Sequence, residues 1–169
     1  MKQNHTLGHV KDLAVMGVMV AIIEVAKMQL AFIPNVELVS LLIILFSLYL
    51  GRKIYFVIAA FVLIEGILFG FGIWWIMYLY AWPLLATLTL LLKKHANAWT
   101  YSFLSGIFGL LFGALCSIPY FVTGGIAGGF GYWIAGIPYD LIHGVSNFII
   151  CLTLFKPLHR VLNRLKNEI

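Results

Sequence analysis

The chain has 169 residues, of which 63% are hydrophobic and 10% charged, with a mean hydropathy of +1.02; an ordinary soluble domain is roughly 45–50% apolar and about 25% charged. That composition excludes a water-soluble enzyme or binding module and points to an integral membrane protein with no separate soluble domain. The formal charge of +5 does not indicate nucleic acid, because Lys and Arg are scattered between apolar runs instead of gathered on one surface.

A polar lead containing Lys2, His5, His9 and Lys11 precedes a first helix expected over residues 12–32, which Ile33-Pro34-Asn35 ends. No small-residue cleavage site follows this apolar run, so it is expected to be a retained helix and not a signal peptide. A second helix is expected over residues 36–50, closed by Gly51-Arg52-Lys53. The third covers residues 54–69 and runs into the turn-prone Gly70-Phe71-Gly72. The fourth starts at Ile73, carries Trp74, Trp75, Tyr78, Tyr80 and Trp82, and stops at Lys93-Lys94-His95. The fifth spans residues 99–122, with Gly106, Gly109 and Gly113 on one face where a neighbouring helix can approach closely. Residues 123–136 are glycine-rich and aromatic and read as a flexible loop, a lid between two Ile-Pro-Tyr triplets. The sixth helix covers residues 137–155, followed by a basic, partly amphipathic tail.

The expected fold is therefore all-α and integral to the membrane, with six transmembrane helices in a single domain over residues 1–169. If there are six spans, Lys2, Lys11, Arg52, Lys53, Lys93, Lys94, Lys156, Arg160, Arg164 and Lys166 all fall on one side. The positive-inside rule makes that side, and both termini, cytoplasmic. Lys27 is left over near the outer end of the first helix.

With that topology Glu24, Glu37, Glu65 and Asp140 all lie in the outer half, joined by Gln29, Asn35, His143 and Asn147 and by Trp74, Trp75, Tyr78, Tyr120, Tyr132 and Trp133. They describe a polar, aromatic basin above an apolar inner half. An ionisable side chain in the bilayer costs about 2.5–3.5 kcal/mol even on a lenient scale, so each needs a partner or a purpose. The plain alternative is that Glu37 and Asp140 are helix N-terminal acids, Glu24 and Lys27 an i,i+3 pair, and the aromatics an interfacial belt. Asp140-x-x-His143 puts two polar side chains on one helical face, which suits ligand contact, structural hydrogen bonding or a small intramembrane enzyme. Cys116 and Cys151 lie in apolar segments and read as packing residues. No zinc pattern, nucleophile elbow or phosphate-binding loop occurs, so neither a metal site nor ATP hydrolysis is expected. Ala14, Gly17 and Ala21 form a small-residue stripe in the inner half of the first helix, suited to close packing within the protein or against a partner.

The six short helices, the stripe Ala14/Gly17/Ala21, the segment Ile33-Pro34-Asn35-Val36-Glu37-Leu38 and the block Gly136-Ile137-Pro138-Tyr139-Asp140 together resemble the substrate-binding S components of energy-coupling factor (ECF) vitamin transporters. The resemblance covers essentially the whole chain. It implies a multi-pass protein of a prokaryotic cell membrane that binds a vitamin at the outer face and docks on a transmembrane coupling subunit carrying two cytoplasmic ATPases. The chain itself would be no enzyme and would need no cofactor, ATP being used by the partner subunits. Ala14, Gly17 and Ala21 match the family's coupling contact, with Gly17-x-x-x-Ala21 nearest to its small-xxx-small motif. The ligand-contact candidates are Glu37, Glu65, Trp74, Trp75, Tyr78, Tyr132, Trp133, Asp140, His143 and Asn147. The family's nickel and cobalt members use an N-terminal Met-His ligand, whereas Met1-Lys2-Gln3 stands here, which leaves a vitamin. The long glycine-rich segment makes cobalamin the leading expectation, and the acids suit a pyridoxine-type vitamer or hydroxymethylpyrimidine.

Overall fold

A computed structural model describes residues 2–168, and the surroundings of side chains for residues 10–165. The side chains of Lys2, His5, His9 and Lys166 lie outside the described residues. The elements are α1 (Lys2–Leu30), α2 (Val39–Leu50), α3 (Ile54–Phe69), α4 (Ile73–Leu91), α5 (Ala98–Leu110) and α6 (Phe112–Glu168), with short 3-10 turns at Gly51–Lys53 and Leu92–His95. Among the described residues, four stretches are long and apolar enough to cross a membrane: Val10–Leu30, Val39–Phe69, Ile73–His95 and Ala98–Leu165. This is an all-α, multi-pass membrane protein.

Side-chain pairings fix how the helices run. Asp12 pairs with Lys53, just before α3, and Lys27 pairs with Glu65 near its end, so α1 and α3 run in the same direction. Trp75 donates to the Val62 carbonyl and Tyr55 meets Thr87, which makes α4 antiparallel to α3. Glu37 and Ser40, at the start of α2, meet His143 and Asn147, so α2 runs with the later part of α6. Ten of the twelve residues of α2 are buried. A helix apolar all round belongs in the centre, and that is where α2 sits.

The segment expected as a lid is a correction. Residues 123–136 are helical, and the one break in α6 is Gly125, at φ 65° and ψ −165°, a conformation L side chains rarely adopt. In an apolar medium each unsatisfied backbone group is costly, so the helix persists through the other glycines instead of opening into a loop. The chain reverses at this break. Contacts pair Gly106 with Phe148, Gly109 with Gly144, Gly113 with Asp140, and Tyr120 with Tyr132, positions nearly equidistant from Gly125. Two further expectations shift. The fifth helix is interrupted at Leu111, and Asp140 lies inside the second limb of α6, so it is no helix N-terminal acid.

The glycine face of α5 is used as its spacing suggests. A Cβ at Gly109 would lie 2.8 Å from the His143 carbonyl and 2.9 Å from the Gly144 Cα, and one at Gly106 would lie 3.1 Å from the Phe148 Cβ. These neighbours include backbone that cannot swing aside. The stripe on α1 is the opposite case: Ala14, Gly17 and Ala21 are all exposed, and nothing lies within 4 Å of a Cβ built on Gly17. Gly109→Val is expected to lower stability by about 1–3 kcal/mol through overpacking, while Gly17→Val stays within about 0.5 kcal/mol. Melting of both variants in detergent by circular dichroism checks the contrast.

Candidate functional site

The basin expected from the sequence resolves into two neighbouring cavities and a buried ion-pair cluster. The first cavity, about 220 Å³, lies between α1, the 31–38 connection, α4 and α6, and is lined by Lys27, Glu37, Tyr78, Trp82, Phe112 and His143 among others. The second, about 380 Å³, lies mainly between the limbs of the α5/α6 hairpin and includes Tyr132, Tyr139 and Asp140. Asn35 and Phe112 line both.

Glu37 precedes α2, and its Oε2 accepts the Ser40 N–H at 2.8 Å, one of the helix-start donors that has no partner within the helix. Its Oε1 lies 3.3 Å from His143 Nε2. The His143 ring is held edge-on by Phe112, with centroids 5.0 Å apart, and its Nδ1 is buried without a partner. Next to it the Ser146 hydroxyl donates to the Asn35 carbonyl at 2.9 Å. Asn35 itself adopts φ 59°, a left-handed conformation that Asn tolerates better than most residues. The 31–38 connection is thus fastened to α6 at two points, through Asn35 and through Glu37. One turn deeper, Asn147 Nδ2 donates to Ser40 Oγ at 3.2 Å, leaving Asn147 Oδ1 buried and unpartnered.

Asp140 and His143 do not form a dyad. His143 Nε2 is turned to Glu37, and Asp140 Oδ1 accepts the Gly113 N–H at 2.9 Å. The missing Cβ of Gly113 is what admits the Asp140 carboxylate, because an added methyl would fall on it. Asp140 Oδ2 is buried without a partner.

Lys27 does not pair with Glu24 along α1. It reaches across to Glu65, which is 0% exposed, and its ammonium lies 4.9 Å from the Phe69 ring centroid and 5.5 Å from that of Tyr78, close enough for cation–π attraction. Glu24 is buried, and its charged neighbours are Glu65 and Lys27. Two carboxyl groups thus lie near one ammonium in a low-dielectric setting, and only Glu65 is paired with it.

Of the residues singled out from the sequence, Glu37, Tyr78 and His143 line the first cavity, and Tyr132 and Asp140 the second. Glu65 and Asn147 are buried supports that line neither. Trp75 and Tyr78 line another cavity, between α3 and α4, while Trp74 packs edge-on against Tyr78 and Trp133 stacks on Phe130. Lys27, Trp82 and Phe112 enter the site without having been picked out as contacts. Lys27 carried a signal, as the one Lys or Arg that falls outside the basic ends of the apolar runs. Trp82, whose indole N–H is buried without a partner, looked like one member of an aromatic belt.

Comparison with protein-family models, with characterised proteins and with solved structures finds no match.

Removing Lys27 leaves Glu65 as a buried charge without its partner, so Lys27→Met is expected to cost about 3–5 kcal/mol. The double variant Lys27→Met/Glu65→Leu removes both charges and is expected to recover most of that loss. Denaturation of the three proteins in mixed micelles checks it; a double variant as unstable as the single one would mean that the pair's geometry, not its charge balance, matters.

Proposed function

We propose that the protein is the substrate-specificity (S) subunit of an ECF-type importer in a prokaryotic cell membrane, with six crossings and both termini cytoplasmic. On this reading it captures a vitamin in the two cavities and passes it on by docking on a transmembrane coupling subunit with two ATPases. The observation that carries the reading is the segregation of polar groups. Glu24, Lys27, Glu37, Glu65, Asp140, His143 and Asn147 gather at one end around cavities with unpartnered polar atoms. Asp12 and Lys53 mark the other end of α1 and α3. A site open at one end only suits a subunit that binds and hands over, and does not suit a channel, which needs a continuous polar path.

The helix directions support six crossings, with α2 and α3 as separate passes and the α5/α6 hairpin as two. The outward face of α1 supports docking: Gly17 and Ala21 are exposed, nothing lies within 4 Å of a Cβ built on Gly17, and Ala14, Val18, Ile22, Phe46, Leu162 and Leu165 line an apolar groove of about 300 Å³ beside them. Exposed Leu63, Ile67, Phe103, Ile107, Val145 and Ile149 suit contact with lipid.

The cavity volumes bear on the ligand. Pockets for drug-sized molecules span about 300–1,000 Å³, and cobalamin is larger than such molecules. Without a glycine-rich lid to close over a large guest, the one-ring vitamers, of pyridoxine or hydroxymethylpyrimidine type, suit the cavities better than cobalamin does. An enzyme reading through Asp140 and His143 has less support, since the two groups bond to different partners.

Mass spectrometry of the small molecule released on denaturing the purified protein is expected to find a vitamin or vitamin precursor. No ligand from a vitamin panel, together with no co-purifying coupling subunit, would sink the proposal. Gly17→Leu or Ala21→Leu is expected to abolish uptake in cells while leaving ligand affinity within about twofold of wild type; loss of binding with an intact complex would move the stripe into the pocket.

A further inference from the structure

The second cavity says what kind of group its ligand presents. Asp140 is 7% exposed, and its carboxylate is not free to turn. Oδ1 is pinned by the Gly113 N–H at 2.9 Å, and the carboxylate fills the space that a side chain at residue 113 would take. Oδ2 is consequently fixed as well, and it is buried with no hydrogen-bond partner. A buried acceptor left unpaired is destabilising, and more so when it carries charge. No Lys, Arg or His lines this cavity, and its other polar side chains include Asn35, Tyr132 and Tyr139. Tyr132 is held as a flat wall by stacking on Tyr120, with centroids 4.1 Å apart and planes 14° apart.

The charge balance of this end points the same way. Among the described residues, the acids Glu24, Glu37, Glu65 and Asp140 gather with two basic side chains, Lys27 and His143. Lys27 is taken by Glu65, and His143 faces Glu37. No positively charged side chain is left for Asp140 Oδ2, and none of the donors in the cavity lining, the Asn35 amide and the Tyr132 and Tyr139 hydroxyls, bonds it.

We propose that the ligand is a one-ring nitrogen heterocycle bearing an amino group or a protonated ring nitrogen, and that this group donates to Asp140 Oδ2 in the cavity walled by Tyr132. The assignment rests on the substrate-binding reading above and names its ligand class. It excludes anionic ligands, which would meet an unbalanced carboxylate, and large neutral ones, which would leave Oδ2 unpaired.

The test is calorimetric titration of the purified chain with pyridoxamine, 4-amino-5-hydroxymethyl-2-methylpyrimidine, the same pyrimidine lacking its amino group, and hydroxocobalamin. At least one of the two amino compounds is expected to bind. Asp140→Asn, which keeps an acceptor for Gly113 but can turn an N–H₂ toward the guest, is expected to weaken that binding by about tenfold or more, the scale of one charge-assisted hydrogen bond. If that variant fails to fold, the pyrimidine pair still decides on wild-type protein, with the deaminated compound expected to bind about tenfold more weakly than its parent. Equal binding of both pyrimidines, or an amino compound held equally by wild type and Asp140→Asn, overturns the assignment. Binding of hydroxocobalamin alone overturns it too while leaving the transporter reading in place. Binding of none of the four, with no coupling subunit co-purifying, brings down both.

Discussion

The close contact between α5 and the second limb of α6 is the constraint on which the polar end depends. Glycines at 106, 109, 113 and 144 let two backbones meet almost directly. That approach sets the depth and rotation of the limb carrying Asp140, His143 and Asn147. Gly113 contributes twice, by leaving space for the Asp140 carboxylate and by donating its N–H to it. The same limb then takes Glu37 and Ser40 from α2 and the Asn35 carbonyl from the connection before it. A wider seam would break all of these together, because each is a short-range bond with no slack.

Electrostatics shapes the other side of the cavities. Charges inside an apolar assembly persist only when paired, and here pairing joins separate helices instead of decorating one. Lys27 with Glu65 and Asp12 with Lys53 clamp α1 and α3 at both ends. The cation also rests against Phe69 and Tyr78, so the first cavity inherits a fixed ammonium in its wall. The site is thus built from supports that are themselves held.

Much of this was legible in the sequence. Hydropathy revealed a membrane protein, and the grouping of Glu37, Glu65, Asp140, His143 and Asn147 toward one end was readable, but not its division into two cavities and a buried ion-pair cluster. The glycine face of α5 followed from spacing alone. What failed to show had a common cause, that local pattern does not know its neighbours. Glu24 and Lys27 have the spacing of a helix pair, yet Glu65 on another helix competes and wins. Residues 123–136 have the glycine content of a loop in water, but away from water the backbone's own hydrogen bonds keep them helical. Among Trp74, Trp75, Trp82 and Trp133, nothing in the residue type says which indole borders a cavity, and only Trp82 borders the first.

Gly125 has a consequence for the size of the whole molecule. The helical stretch it interrupts is 57 residues long, and uninterrupted at 1.5 Å per residue it would be a rod of about 85 Å. A bilayer's hydrocarbon core is about 30 Å thick, so such a rod would leave more than half of its apolar surface standing in water. One residue with φ 65° splits that length into residues 112–124 and the longer limb 126–168, and turns the longer limb back along the shorter one and α5. The return of the chain along α5 thus turns on a single backbone conformation, one that costs glycine little and any β-branched residue a great deal.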